Sequence, residues 1–425
     1  MPGPSLAGRM RRRDEILAAA AELFASDGYT NTSMREVAAA SGILAGSLYH
    51  HFESKEAIAV ELVEAYHADL VRVVREFGSV PADPLPALRA YAQAIAAVSF
   101  RHTAALQISQ FDAPATASSS LKTVVHAEPA SVDRLWRTLI SAASAAGEIK
   151  DRVDLRILRY VLHRTTVNAG LLWGWETPSG TQAAAECITA LIFDGLTTAA
   201  PSSADSSKAT RVVDDARGRW VAEAAESQGQ RRGQVLDAAR SQFALRGFEA
   251  TTMRDIADAA GITASNLYRY FESKDSMVHA ILGGFSDRLT EAYREVIQAG
   301  SSVVEILDAI LWLLDQVGRH FSREIEILQG FKRLVDLGVA DRYQEGARLR
   351  FDLLVGVIDS GVAAGDIRQV AASDLVATCL REIMWAPMRN LAPISALRVR
   401  DFYRHSVLSG ASARSAPPPG GRASG

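Results

Sequence analysis

The residues of this chain best suited to gripping an anion are two lysines at helix starts: Lys55 in Glu53-Ser54-Lys55-Glu56 and Lys274 in Glu272-Ser273-Lys274-Asp275. In each run Ser is a capping residue and opens a helix, so Lys falls in its first turn. A helix dipole favours anions at that end, which makes the cation a poor choice for the helix itself. Beside free backbone N–H groups, however, the same cation completes a phosphate site. A single such lysine would read as a solvated surface charge. Two in the same register of a longer match point to phosphate.

Other chemistries find no support. The sequence holds no G-x-S-x-G, G-x-G-x-x-G, H-E-x-x-H or G-K-[ST] run, so an enzyme is not expected. His50-His51 has no third ligand at helical spacing, and neither a metal nor a cofactor is expected. Cys187 and Cys379 lie one in each half, in apolar helical sequence without C-x-x-C spacing, and read as buried reduced thiols. The charge balance argues against nucleic acid: 46 Lys and Arg stand against 49 Asp and Glu, a net charge of −3. A DNA-binding role must therefore rest on where the basic groups sit. No apolar run reaches the roughly 18 to 20 residues of a bilayer span. Met1 to Arg13 is polar and then basic, unlike a secretory signal, so the expected location is the bacterial cytoplasm, on the nucleoid when DNA is bound. With 425 residues, at least two cores are expected.

What positions the lysines is a repeat. Arg13 to Ile58 and Arg232 to Met277 align at a shift of 219, with 21 identities over 46 ungapped positions. Beyond that block, Arg101-His102 answers Arg319-His320, and Gly147-Glu148-Ile149 answers Gly365-Asp366-Ile367, both at a shift of 218. The duplicated unit is thus whole, and its windows carry apolar residues at helical spacing without alternating β-branched runs. The expected fold is all-α.

Within each copy the pattern is two short helices around a glycine. Ile16, Leu17, Ala20, Leu23 and Phe24 form one face of a helix that stops at Gly28. Ser33-Met34-Arg35-Glu36 has capping-box spacing, and Thr252-Met253-Arg254-Asp255 keeps a shorter acidic version. That second helix breaks at Gly42, or Gly261 in the second copy. A third helix then holds Leu48-Tyr49 and ends near Phe52. This is a helix-turn-helix.

Both blocks resemble the DNA-binding domain of the TetR family of bacterial regulators, which usually reads A-G-V-S-x-x-x-L-Y-x-Y-F-x-S-K here. The resemblance covers about 46 residues in each half; the remaining helical sequence is similar to the family's effector and dimerisation domain only in length and helicity. It implies backbone phosphate contacts from Ser33, Arg35, Tyr49 and Lys55, and from Thr252, Arg254, Tyr268 and Lys274. It implies base reading by Ala45, Gly46, Ser47 and His51 in the first copy, and by Ala264, Ser265, Asn266 and Tyr270 in the second. Two departures stand out. Leu44 replaces the usual Ser or Thr cap, which Thr263 keeps, and His50 stands where the second copy has Arg269. The second copy should read DNA more strongly, because Arg contacts phosphate and guanine better than neutral His. Arg9, Arg11, Arg12 and Arg13, like Arg231 and Arg232, form a basic arm before the first helix.

The expected organisation is a first reading head at residues 1–58, a helical effector and pairing domain at 59–199, and a linker with a short connecting helix at 200–230. A second head follows at 231–277, a second helical domain at 278–411 and a Pro/Gly/Ser-rich, disordered tail at 412–425. The family's members pair to read palindromes, so the fused halves are expected to form an intramolecular pseudo-dimer on double-stranded operator DNA, with further oligomers open. The two unlike reading segments imply an asymmetric operator. By the same resemblance a small-molecule effector would bind the helical domains, near Arg101, His102, Trp136, Trp173 and Trp175 in one half and Arg319, His320 and Trp385 in the other.

Overall fold

The computed structural model describes residues 6–78, 81–109, 119–172, 178–199, 207–328, 338, 340–386 and 394–413. Among these residues the chain is helical, with two isolated β-bridges and no strand. The all-α expectation holds. By compactness the chain divides into residues 1–146 with 162–186, and residues 147–161 with 187–425. The division does not follow the repeat: two pieces of the first copy belong to the second unit.

The first unit begins with α1 (Leu6–Asp27), α2 (Met34–Ala40) and α3 (Ala45–Leu48). Ile16, Ala20 and Phe24, four residues apart, are fully buried on α1, and the helix stops where Gly28 takes a φ of 84°. The long α4 (Lys55–Phe77) follows, buried along Ile58, Val63, Tyr66 and Leu70. Then come α5 (Pro84–Arg101), α6 (Thr103–Gln107), α7 (Ser119–His126) and α8 (Ala130–Ala145). Tyr91 of α5 meets Trp136 of α8 at 4.6 Å between ring centroids and Phe77 of α4 at 5.2 Å. Such aromatic pairs add about 0.5–1.5 kcal/mol each beyond the area they bury. The later part of α9 (Leu155–Leu172) and the earlier part of α10 (Pro178–Phe193) complete this unit.

In the second unit, α11 (Lys208–Gly229) runs to the start of α12 (Arg231–Arg246). The segment expected to hold a short connecting helix is thus a docked helix of 22 residues. It buries Ala209, Val213, Ala216 and Trp220, again on one face. The helices α13 (Met253–Ala259), α14 (Ala264–Leu267) and α15 (Lys274–Ala299) repeat α2 to α4. Beyond them lie α16 (Val303–His320), α17 (Ser322–Ile327), α18 (Asp341–Ala364), α19 (Ser373–Trp385) and α20 (Ala396–Tyr403), which continues into a π-helical turn at Arg404–Leu408. Trp220 packs on Phe321 with centroids 5.0 Å apart, and Glu305 accepts from the Ala209 N–H at 3.1 Å, tying down the free end of α11. Asp308 of α16, buried, receives Arg400 Nη2 at 2.6 Å and Arg404 Nε at 2.7 Å. Burial pushes its carboxyl up, but these bonds from Arg404 and Arg400 hold it below its usual range.

The second unit also joins the two copies. Leu196 N–H donates to Val407 O at 2.9 Å, and Ala411 N–H to Ile192 O at 2.8 Å. Thr197 and Ser412 donate likewise to Leu408 and Phe193, and Thr198 and Ala413 to Asp366 and Glu148. Arg368 and Lys150 return the pattern to Leu196 and Ala411. Each bond has a partner related by the repeat, so the arrangement has local pseudo-two-fold symmetry. Gly195 and Gly410, with φ of 80° and 77°, meet at its centre: a Cβ on Gly195 would lie 2.3 Å from Gly410 N. Only glycine fits there. Cys187 and Cys379 are buried and free of disulfides.

Candidate nucleic-acid interface

The first head is built on hydrogen bonds that the sequence encodes locally. Ser33 Oγ accepts from the Glu36 N–H at 3.3 Å while Glu36 accepts from the Ser33 N–H at 2.7 Å, a reciprocal box. The Ser33 N–H bond holds the Glu36 carboxyl below its usual range. Thr252 and Asp255 repeat the box at 3.2 and 2.8 Å, and the Thr252 hydroxyl, then its N–H, depress the Asp255 carboxyl in the same way. The turn follows at Gly42 and Gly261, whose φ values of 65° and 63° belong to the left-handed region. Leu48 and Leu267 are fully buried and pin the third helix to the head. Most other side chains of the third helix are exposed.

That exposed surface contains the residues singled out for DNA. Ser33, Arg35, Gly46, Ser47, Tyr49 and His50 are exposed, with Ala45 and His51 half-buried. In the second head Thr252, Arg254, Thr263, Ala264, Ser265, Asn266, Tyr268 and Arg269 are exposed and Tyr270 is half-buried. Tyr49 and Tyr268 are each 56% exposed, large apolar rings that nothing in the fold requires at the surface. The two heads differ at the start of the third helix. Thr263 Oγ1 accepts from the Asn266 N–H at 3.3 Å, whereas Leu44 makes no side-chain cap. The backbone there is the same, with φ and ψ of −71° and 145° at Leu44 and −74° and 151° at Thr263.

The ammonium groups of both lysines, expected to meet phosphate, are engaged within their own heads. Lys55 Nζ donates to the carbonyls of Tyr29, Thr30 and Thr32 at 2.6, 3.2 and 2.7 Å, and lies 4.5 Å from the Tyr29 ring centroid. Lys274 does the same with Phe248, Glu249 and Thr251 at 2.9, 3.3 and 3.4 Å. An ammonium has three donors, and these carbonyls take them. Each lysine thus ties the loop that carries the Ser33 or Thr252 hydroxyl to the start of the fourth helix. Part of the basic arm is likewise engaged with the fold: Arg13 lies 4.0 Å over Phe52 and Arg232 4.6 Å over Phe271. Arg12 pairs with Glu15 and Arg231 donates to Gln234, while Arg11 is largely exposed. The Arg9 side chain lies outside the described residues.

The residues expected to meet an effector fall into separate groups. In the first unit His102 Nε2 and Arg101 Nη2 reach Asp69 at 3.0 and 3.6 Å, and Arg72 joins them at 2.8 Å. Burial opposes ionisation of Asp69, yet the bonds from His102 and Arg72 keep its carboxyl below the usual range. Trp136 is fully buried beside Tyr91, and among the described residues its Nε1 has no hydrogen-bond partner. In the second unit Arg319 pairs with Asp315 at 2.9 Å, and His320 lies 5.8 Å from Trp220. Burial and Arg288 lower the His320 pKa. Trp385 is half-buried, and Trp173 and Trp175 lie outside the described residues.

Sequence reasoning missed the joints between head and helical domain. Gln107 Nε2 of α6 donates to Ala25 O of α1 at 3.2 Å. In the second unit Arg240 of α12 pairs with the buried Glu324 of α17 at 2.6 Å, and Arg323 with Asp237 at 3.0 Å. Neither joint has a counterpart at the aligned position of the other copy, where Gln107 answers Ile325 at the shift of 218, so the repeat gave no signal for them.

A family model described as bacterial regulatory proteins, tetR family, matches this chain twice, at residues 16–62 and 235–281. The HTH-type transcriptional repressor KstR2 of Mycolicibacterium smegmatis is 34% identical over 184 residues, which is 42% of this chain and 90% of that protein. KstR2 of Mycobacterium tuberculosis is 32% identical over 184 residues, 42% of this chain and 92% of that protein. The solved structure of the ketosteroid transcriptional regulator KstR2 of Mycobacterium tuberculosis covers 44% of this chain and 96% of its own at 31% identity, with a TM-score of 0.41. Each relative thus accounts for less than half of the chain, while the family's head occurs in it twice. This chain is a member of the TetR family of bacterial DNA-binding transcriptional regulators, with two helix-turn-helix heads in one polypeptide.

Proposed function

We propose that the chain is a ligand-responsive repressor whose two heads, paired within one polypeptide, read an asymmetric operator. The observation that carries this reading is the reciprocal hydrogen bonding around Gly195 and Gly410, in which each repeat supplies what a separate subunit would supply in a two-fold dimer. Fusion raises the effective concentration of the partner to the order of millimolar, so pairing needs no second chain. The name repressor belongs to the relatives and supports repression as the mode here.

Phosphates would be held by Ser33, Arg35 and Tyr49 in one head and by Thr252, Arg254 and Tyr268 in the other, with Lys55 and Lys274 fixing the loops behind those hydroxyls. Bases would be read from Ala45, Gly46, Ser47 and His51, and from Ala264, Ser265, Asn266, Arg269 and Tyr270. The two sets differ, so the half-sites differ. An effector that parts Tyr91 from Trp136 would offer an acceptor to the buried Trp136 N–H, which has no partner among the described residues. It would act on the head through α6, which Gln107 ties to α1. Such coupling requires the ligand to prefer one arrangement, typically by about 1–3 kcal/mol.

Selection of bound sequences from random DNA with the full chain tests the reading. Two dissimilar half-sites are expected. A perfect palindrome contradicts it.

A further inference from the structure

The second, third and fourth helices of the two heads use hydroxyl caps at Ser33, Ser54, Thr252, Thr263 and Ser273. Leu44 breaks the series. Its backbone matches that of Thr263 within a few degrees, so the cap geometry is intact and only the hydrogen bond is missing. In its place the head presents an isobutyl group that is 80% exposed, while the neighbouring Leu48 is fully buried. Packing inside the head therefore does not account for Leu44. It stands at the capping position of the recognition helix, with the exposed Gly46 and Ser47 in the turn that follows.

The N-terminal residues of a recognition helix are those that reach base edges in the major groove. Of the groups displayed there, the thymine 5-methyl is the one that an aliphatic side chain recognises by contact, since all the others are hydrogen-bonding atoms. An aliphatic group that gains nothing in the free head gains by leaving water against that methyl. Thr263, with its hydroxyl committed to the Asn266 N–H, offers a smaller and differently directed surface.

We propose that Leu44 is a specificity-determining residue of the first head that reads the 5-methyl group of a thymine in its half-site. The proposal rests on the reading that the first head binds DNA, and goes beyond it by assigning one contact. It makes the two heads differ in kind: one reads partly by apolar contact, the other by polar groups around a capped helix.

The test uses the full chain and the sequence it enriches from random DNA. Thymines of that site are replaced one at a time by deoxyuridine, which removes only the methyl, and affinity is measured for the wild-type protein, Leu44→Thr and Leu44→Ala. One position is expected at which deoxyuridine weakens wild-type binding about 3- to 10-fold and leaves both variants unaffected. Leu44→Thr restores the hydroxyl that its counterpart uses, so it keeps the head folded, and thermal unfolding verifies this. Equal sensitivity to deoxyuridine in wild type and variants overturns the proposal, as does an enriched site in which no thymine depends on Leu44. A chain that enriches no sequence at all overturns the DNA-reading proposal along with this one, so the two failures are distinguishable.

Discussion

Lys55 shows how far a residue's role depends on contacts that local sequence does not display. Its place in a first turn was legible, and so was its recurrence as Lys274, but the carbonyls that take its hydrogens lie 23 to 26 residues earlier in the chain. The tertiary approach of that loop was not readable from helix spacing. Removing the ammonium leaves carbonyls that must find water, so Lys55→Met should destabilise the first head by about 1–3 kcal/mol in urea denaturation. Tyr49→Phe should behave in the opposite way. Its ring is exposed, so stability should change by less than about 0.5 kcal/mol. If the phenol donates to phosphate, affinity for the enriched DNA should fall several-fold. An equal loss of stability in both variants would count against this division of labour. At Leu44 the missing cap was legible from residue type alone. Leu44→Thr should therefore raise stability, by about 0.5–2 kcal/mol in the same denaturation experiment.

Among the elements, the helix-turn-helix was the most legible because its signals are local: capping boxes, turn glycines and one buried leucine per third helix. Helix α11 was the least. Its apolar positions, Val213, Ala216 and Trp220, are sparse and separated by charges, so the segment resembles a connector until its docking partners are known. Those partners, Phe321, Glu305, and the ion pairs Arg219 to Glu295 and Arg288 to Glu223, are supplied from about 65 to 100 residues further along. Since Trp220 is almost fully buried, Trp220→Ala should cost about 3–5 kcal/mol, measured as a loss of stability on chemical denaturation. A change within about 0.5 kcal/mol would mean that α11 is only a tether. The joints between heads and helical domains were equally hidden. They consist of an amide in one copy and ion pairs in the other, and no single-copy pattern predicts either.

At the scale of the whole molecule, the duplication was plain in the sequence, and Gly147-Glu148-Ile149 with Gly365-Asp366-Ile367 had already emerged as a matched pair. What the repeat could not reveal is that these segments bond to the ends of the opposite copy, because the pairing joins residues more than 150 positions apart. Gly195→Ala should disrupt it: the backbone there is left-handed and a methyl would meet Gly410. Asp308 supplies a pH signature in the same unit. Its carboxyl is held below the usual value of 3.8, so its contribution is fully present above about pH 4 and is lost as pH falls through the lowered folded value. Asp308→Asn removes the buried carboxylate that Arg400 and Arg404 share and should cost about 3–5 kcal/mol at neutral pH, with the gap to wild type narrowing toward pH 2 in denaturation experiments. A gap independent of pH would remove Asp308 from the account. The central claim is that one chain supplies both reading heads. The intact mass of the protein bound to its enriched duplex tests this most directly: one chain per operator is expected, and two chains bound as a symmetric pair would contradict it.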